Sequence, residues 1–465
     1  MLLRYAGPVA VAAACLSCSS ERSAGPSGTV ASIALSQTAA TLIRTATLQF
    51  AATPRDGAGN AVTGQTVVWT TSTPAVATVS ATGAVTAVGN GTDTVTASAG
   101  GRSAVATITV ISVAIVLDSA TQLFQVHQAD ALGMAGVPDM HTAILQQPDG
   151  SYRLWIAGRF ENDTVEGATG LLTTRDFLSY AAVGSTTDAQ PVLTPSCRPF
   201  AVACETAFDG VYAGADWVWP ASNGTDLLML YHGGSKYYGG GVESDSNPGW
   251  GTIGLARSSD QGVTWTGRTA VISGTDAKPS TVPPTGIYGA VEPGIIAAGG
   301  YLYAYYAYFP LSGPSQIQVA RAPSSGDGAA GTWSKYDDGF GTQPGLGGVG
   351  SPVISTAGTG CTRPAQPWPV RSTYLNAYVL VFLCQEGWFF STSTDLVAWT
   401  VPIQFFVEPG EEFQGPTDEN VILVTPGNPA QSVGQTGYAL YAHTPNWGSV
   451  AHQLYMRPFT FKMTP

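Results

Sequence analysis

The sequence predicts an all-β protein: a small β-sandwich followed by a five-bladed β-propeller. Three observations predict it. Residues 31–112 alternate apolar and polar in period two between turn signals. From residue 113 onward, one three-element motif returns at intervals of roughly 60–80 residues, the signature of a repeat architecture. Helical periodicity is essentially absent throughout. A chain of 465 residues is also too long for one ordinary core, so more than one domain is the prior.

Composition narrows the class. Charged residues are 11% of the chain, against about 25% in a typical globular domain. Hydrophobic residues are 44%, enough to bury a large core, which excludes a disordered chain. The formal net charge of -12 offers no basic stripe to phosphates, so a nucleic-acid partner is not expected. Such a surface suits a dispersed, monomeric protein.

Residues 1–18 read as an export signal. Arg4 is the positive flank, Pro8–Ala14 is a short apolar run, and small residues lead to Cys15. The run is too short to span a bilayer as a stable helix. Val11-Ala12-Ala13-Ala14-Cys15 resembles a bacterial lipobox, with Ala12 where Leu is favoured and Cys18 as a second choice. That resemblance implies lipidation of Cys15 and attachment to the outer membrane; plain secretion is the alternative. Residues 19–30 are a polar Ser/Gly linker. The other cysteines form two local pairs, Cys197/Cys204 and Cys361/Cys384. In an exported protein two disulfides are the default. The alternative, a zinc site, is disfavoured because the spacings are not C-x-x-C and no His lies nearby in sequence.

In the sandwich, Trp69 and alternating Val residues fill the space between two sheets, and Gly83 and Gly91 allow the turns. The runs Val68–Ser72, Val76–Val79, Gly83–Val88 and Gly91–Ala97 resemble a bacterial Ig-like domain of group 2, found also in intimin-type adhesins. The segment holds no carboxylate–His cluster, so it reads as a spacer or surface-binding module.

Each propeller repeat opens with an inner strand bearing a polar residue at its mouth. These are Pro138–Ile144, Ala215–Trp219, Val291–Ile295, Gly350–Ile354 and Asp418–Ile422. An aromatic strand follows: Tyr152–Ala157, Leu227–Tyr231, Tyr301–Tyr306, Tyr378–Leu383 and Tyr438–Tyr441. Most repeats end in a turn with Asp and an aromatic. Ser258–Trp265 fits S-x-D-x-G-x-T-W completely, an Asp-box, whose Asp260 and Ser258 tie the turn. Asp176 and Asp395 sit in degenerate versions, and all three Asp read as structural. Ile115–Val126 can supply the outer strand of the last blade and close the ring.

Inner strands converge on an axis, which would bring Asp139, Asp216, Glu292 and Glu419 into one pocket. Crowded carboxylates push their pKa values apart and separate an acid from a base. That is the requirement for glycoside hydrolysis. The competing roles are strand-end capping and a structural cation, for which calcium in the channel is the candidate; no cofactor is required. This layout resembles the five-bladed arabinanase, xylosidase and invertase-like superfamily, including glycoside hydrolase family 43. The resemblance implies a base Asp on blade one, matched by Asp139. It implies a pKa-tuning Asp on blade three, where Glu292-Pro293 stands, and a general-acid Glu on blade four, which opens with Ser351. Glu419, Asp216 or Glu386 is then the replacement. The implied substrate is a polysaccharide or oligosaccharide, arabinose- or xylose-containing.

Arg159, His232, Tyr308, Gln385 and His443 end the second strands and point toward the pocket rim. Arg159, His232, Tyr308 and His443 are candidates to bind sugar hydroxyls; Trp217 and Trp388 are candidates to stack on a sugar ring. The loop Gly233–Trp250 is long, Gly-rich and aromatic, as a substrate-binding loop would be. The sequence contains no P-loop, dinucleotide fingerprint, HExxH or G-x-S-x-G. The competing class is a non-catalytic carbohydrate-binding or adhesion protein.

Overall fold

The computed structural model describes residues 28–123, 134–135, 140–160, 165–183, 191–197, 206–237, 248–284, 286–407, 418–429, 431–443 and 453–464. The expected signal segment with Cys15 lies outside them, as do Asp139, Cys204 and the tip of the 233–250 loop. The chain divides into two compact units, residues 28–41 with 47–109 and residues 42–46 with 110–464. No helix among the described residues is long and apolar enough to cross a membrane.

The first unit is a sandwich of short strands. Ser32–Leu35 pairs with Ala52–Arg55, and Thr47–Gln49 pairs with Ala84–Ala87, which pairs with Ala77–Val79. Val68–Thr71 pairs with Gly91–Ala99. Strict alternation puts Val95, Ala97 and Ala99 inward on that long strand. Trp69 meets the buried Phe50 edge to face at 6.5 Å. Gly83 is required there: at φ 88° it turns the chain, and a Cβ would stand 2.6 Å from the Phe50 carbonyl oxygen.

The second unit is built from antiparallel sheets that follow one another along the chain as five blades. Blade one runs from Ala143–Gln146 through Tyr152–Phe160 and Val165–Thr174 to Ala181–Ala182. Blade two comprises Tyr212–Pro220, Leu227–Lys236, Gly249–Ser258 and Thr266–Ser273. Blade three comprises Ile287–Ala298, Tyr301–Phe309, Gln316–Pro323 and Ser334–Lys335. Blade four comprises Ala365–Ser372, Ala377–Cys384, Gly387–Ser393 and Ile403–Phe406. Blade five comprises Asp418–Val424, Thr436–His443 and Gln453–Thr464, and its fourth strand comes from the other end of the unit. Ser112–Leu117, within Arg102–Leu117, pairs antiparallel with Phe459–Thr464. The clasp lies at the start of the expected Ile115–Val126 segment, and Thr121–Gln122 adds two further pairs on the same partner strand.

Hydrogen bonds and strand pairing join neighbouring blades. Thr169 Oγ1 donates to the Ala213 carbonyl across blades one and two, 3.0 Å. Gly249–Gly251 pairs parallel with Ile287–Gly289 across blades two and three. Trp388 Nε1 donates to the Asp418 carbonyl across blades four and five, 3.0 Å, and the Gly427 N–H donates to Tyr152 Oη between blades five and one, 2.6 Å. The Asp-box behaves as a turn lock. Asp260 accepts from Ser258 Oγ, Thr264 Oγ1 and the backbone of Val263 and Thr264. Burial pushes its carboxyl up, but these donors outweigh it and bring it down to about 2. Trp265 and, from blade one, Trp155 both donate to the Gly262 carbonyl of that turn. Asp176 and Asp395 each accept two backbone N–H groups in the corresponding turns. Cys361 and Cys384 form a disulfide, and Cys197 is disulfide-bonded.

One strand assignment is corrected. Blade four opens with Ala365–Ser372, not with Gly350–Ile354. The latter segment runs along the outer side of blade three, where the Ser351 N–H donates to the Tyr336 carbonyl and the Val353 N–H to that of Ile317. Ser351 Oγ donates to Asp337, 2.6 Å. Ser351 is therefore no mouth residue.

Candidate functional site

The inner strands of blades two to five each break register with a β-bulge, near the strand middle in blades two and three and near the strand start in blades four and five. In blade two Ala215 faces Tyr231 and Trp217 faces Leu230, leaving Asp216 extra. In blade three Glu292 and Pro293 bulge between Val291 and Gly294. Gln366 and Pro367 do so in blade four, Asn420 and Val421 in blade five. Glu292, Gln366 and Asn420 lead their bulges with φ of 56°, 53° and 58°. A non-glycine residue held there costs about 1–3 kcal/mol, and bulges re-aim the side chains they carry.

Here they bring three polar side chains together, those of Glu292, Gln366 and Glu419. The Gln366 N–H donates to Glu292 Oε2, 3.1 Å. The Asn420 N–H donates to Gln366 Oε1, 2.7 Å, which fixes the orientation of that amide. Gln366 Nε2 is thereby turned to both glutamates, 3.4 Å from Glu292 Oε1 and 3.3 Å from Glu419 Oε2. One nitrogen reaching both keeps these two carboxylate oxygens no more than about 7 Å apart, a limit that admits the about 5–5.5 Å separation of a retaining glycosidase pair. Glu292 and Glu419 are partly exposed, whereas Gln366 is buried.

Asp216 and His141 lie beside this group, fully buried. Asp216 Oδ2 accepts the His232 N–H, 3.0 Å, and Asp216 Oδ1 stands 3.4 Å from His141 Nδ1. His141 Nε2 stands 3.3 Å from the Gln366 carbonyl oxygen. Burial, followed by the charge of Glu292, raises the Asp216 carboxyl well above its ordinary range, against the opposing His232 N–H. Burial brings His141 down to about 3 and His232 to about 4, so both imidazoles are neutral at pH 7. The His141 ring lies 5.3 Å from that of Trp368, and Trp368 lies 4.7 Å from Trp217. Residues of blades one, two and four thus meet where the inner strands converge.

Of the expected acids, Asp216, Glu292 and Glu419 do converge, and Asp139 precedes His141 but lies outside the described residues. Three residues went unread in the sequence, the first of them His141, two residues after Asp139. Gln366 occupies the blade-four place, and Asn420, not Glu419, is the register equivalent of Glu292 on blade five. The available signal was the pair Gln366-Pro367, which repeats Glu292-Pro293. Glu386, the other candidate replacement, accepts from the N–H and hydroxyl of Thr362 in a turn of blade four.

The proposed sugar platforms Trp217 and Trp388 are corrected to core residues. Trp217 is 2% exposed against Trp368, and Trp388 is fully buried among Phe405, Phe406 and Tyr441. Neither can present a face to a sugar. His232 is buried against Tyr212, and Tyr308 is buried with its hydroxyl donating to Asp276, 2.8 Å. His443 remains partly exposed and is oriented through Nδ1 by Asp418, 2.7 Å. The backbone of Arg159 is in strand, and its side chain lies outside the described residues. For the calcium considered above, no group of three or more His, Cys, Asp or Glu among the described residues is placed to hold a metal ion. A cavity of about 370 Å³ between blades two and three is lined by Arg257, already paired with Asp226 and Asp327.

Fold and site define an all-β protein that joins an Ig-like sandwich to a propeller with polar bulges on its inner strands. Residues 29–110 match the bacterial Ig-like domain (group 2) family. No curated protein matches the chain. Among solved structures, the chain is similar to the catalytic domain of a Coprinopsis cinerea GH62 alpha-L-arabinofuranosidase: 11% identity, TM-score 0.43, 75% of this chain and 97% of that one. It is similar to an endo-arabinase from Bacteroides thetaiotaomicron: 12% identity, TM-score 0.40, 73% of this chain and 97% of that one. It is also similar to an N-acetylgalactosamine deacetylase from F. plautii: 14% identity, TM-score 0.43, 75% of this chain and 95% of that one. Likeness at this level carries no argument about reaction or substrate.

Proposed function

We propose that the chain is an exported glycoside hydrolase whose acid/base pair is Glu292 and Glu419. The observation that carries this is the single Gln366 amide reaching both carboxylates. Two partly exposed carboxylates held at this separation can protonate a leaving oxygen and activate water, or attack directly. The family resemblance adds Asp139 as the base, on sequence alone. His443 and Arg159 are candidates to bind sugar hydroxyls. The substrate class is an arabinose- or xylose-containing polysaccharide or oligosaccharide. The Cys361–Cys384 disulfide supports an oxidising compartment, hence export, with lipidation at Cys15 as the anchor.

A carbohydrate-binding protein without turnover is the second reading, favoured by one observation. Gln366, an amide, stands on the blade where the resemblance implies a general-acid Glu, and an amide cannot deliver a proton in that role.

Turnover separates the two. The wild type is screened on para-nitrophenyl α-L-arabinofuranoside, para-nitrophenyl β-D-xylopyranoside, arabinan and xylan. Glu292→Gln and Glu419→Gln are each expected to lower kcat/KM by about 10²–10⁴-fold, the usual contribution of a positioned acid or base. Binding of a polysaccharide without hydrolysis by the wild type establishes the second reading. Turnover that survives both substitutions moves the reaction elsewhere.

A further inference from the structure

His141 Nδ1 and Asp216 Oδ1 are both buried, have no hydrogen-bond partner within normal reach, and face each other at 3.4 Å. Two acceptors facing each other there would each forfeit a hydrogen bond, so one of them carries a proton. Burial, which keeps the imidazole neutral, and the far side of the ring together decide which. His141 Nε2 faces the Gln366 carbonyl oxygen, which only accepts, so Nε2 bears the hydrogen in a neutral ring. Nδ1 is then an acceptor, and Asp216 must be the donor. Asp216 Oδ2 is already taken by the His232 N–H, which leaves the hydroxyl on Oδ1.

We propose that Asp216 and His141 are positioning residues: the Asp216 hydroxyl donates to His141 Nδ1, His141 Nε2–H donates to the Gln366 carbonyl, and Gln366 in turn holds Glu292 and Glu419. The relay starts on blade two, passes through blade one and ends on blade four, so it crosses the axis rather than following the ring. It clamps Gln366 from the backbone side, while the Asn420 N–H clamps the amide. Both clamps are needed because the Gln366 backbone sits at φ 53°, a conformation that relaxes unless its surroundings hold it. The groups facing this relay are Glu292 from blade three and the His232 N–H from blade two. Its function rests on the reading of Glu292 and Glu419 as the reacting pair; its protonation pattern does not.

The first test is therefore independent of activity. Five histidines make the ¹⁵N spectrum of the intact protein tractable, and His141→Gln assigns the signal. The expected result is a neutral His141 ring protonated at Nε2, unchanged across about pH 5–9, where an ordinary His titrates. Protonation at Nδ1, or a midpoint near the ordinary 6.5, overturns the relay. The second test reads its role. Asp216→Leu is expected to lower kcat on para-nitrophenyl α-L-arabinofuranoside about 100-fold with little change in KM, the scale of a 1 Å misplacement. Asp216→Asn, whose amide N–H donates in place of the hydroxyl, is expected to recover most of that loss. If Asn is as damaging as Leu, Asp216 works as an ion and the proposal falls. If Asp216→Leu does not fold, or the wild type turns over no glycoside, the histidine tautomer still decides.

Discussion

At the scale of single residues, burial sets the chemistry. Lys335 is fully buried, and its ammonium donates to the carbonyls of Ser273 and Gly348, 2.6 Å each, with no ion-pair carboxylate among the described residues. Burial brings it down from 10.5 to about 8. Between those two values the unfolded chain holds a proton that the folded chain has released. Stability should therefore rise with pH across that window, by at most about 1.4 kcal/mol per pH unit. The check is urea denaturation at several pH values on wild type and Lys335→Met. The stability difference between them should change with pH in favour of the wild type between about pH 8 and 10.5. A difference that stays flat means that the buried ammonium does not titrate there. Methionine fills the same volume and leaves two carbonyls without a donor, so it should cost about 1–3 kcal/mol at pH 7. The contrast with Asp216 is instructive. Among the described residues both groups lack an ion-pair partner of opposite fixed charge, but Lys335 has two neutral acceptors, whereas Asp216 sits beside another carboxylate.

At the scale of elements, the bulges do the positioning, and they are also where the sequence could be misread. Strands with alternating or aromatic faces were legible, because period two and Gly-rich turns are local properties. The Asp-box was legible for the same reason: its donors and acceptor lie within eight consecutive residues, Ser258–Trp265. Gly350–Ile354 resembled an inner strand because Pro and an apolar run follow a small polar residue. What places it on blade three is hydrogen bonding to Tyr336 and Ile317, which no local pattern reports. Trp217 and Trp388 misled in the same way, since an aromatic beside a loop does not reveal whether another ring covers it. Gly294 shows how tightly a bulge is held. A Cβ there would stand 2.3 Å from the Pro367 carbonyl oxygen, on the bulge of the next blade. Gly294→Ala should therefore cost about 1–3 kcal/mol, as overpacking does, and should lower activity by displacing Gln366. Gly249→Ala is the control, because its Cβ would meet only Ile287, at 4.0 Å. Equal losses for the two would show that the contact between blades three and four is not what constrains Gly294.

At the scale of the molecule, a ring needs a seal. A blade cannot bury both faces alone, so the last sheet must join the first for any to be stable. Here the seal is a composite sheet: three strands of blade five come from the C-terminal end of the unit and the fourth, Ser112–Leu117, from its start. Alternation makes the clasp one-sided. Val113 and Ile115 are 3% and 4% exposed and face Met463 and Phe461 in register, whereas Val116 is 38% exposed. Replacing Val113 and Ile115 together by Asp removes two buried aliphatic side chains, worth about 1.5–3 kcal/mol each, and asks the ring to bury charge. The double variant should therefore lose at least about 3–6 kcal/mol of propeller stability. Val116→Asp should stay within about 0.5 kcal/mol of wild type, because its side chain leaves the sheet on the solvent side. Tryptophan fluorescence reads the right unit, since ten of the 11 Trp follow residue 150 and only Trp69 belongs to the sandwich. If all five blades depend on the clasp, the double variant unfolds in one transition at lower denaturant. Two transitions, with only the smaller one shifted, would mean that blade five opens alone and the other four stand without it. Equal behaviour of the double variant and Val116→Asp would mean that the strand decorates the ring instead of sealing it.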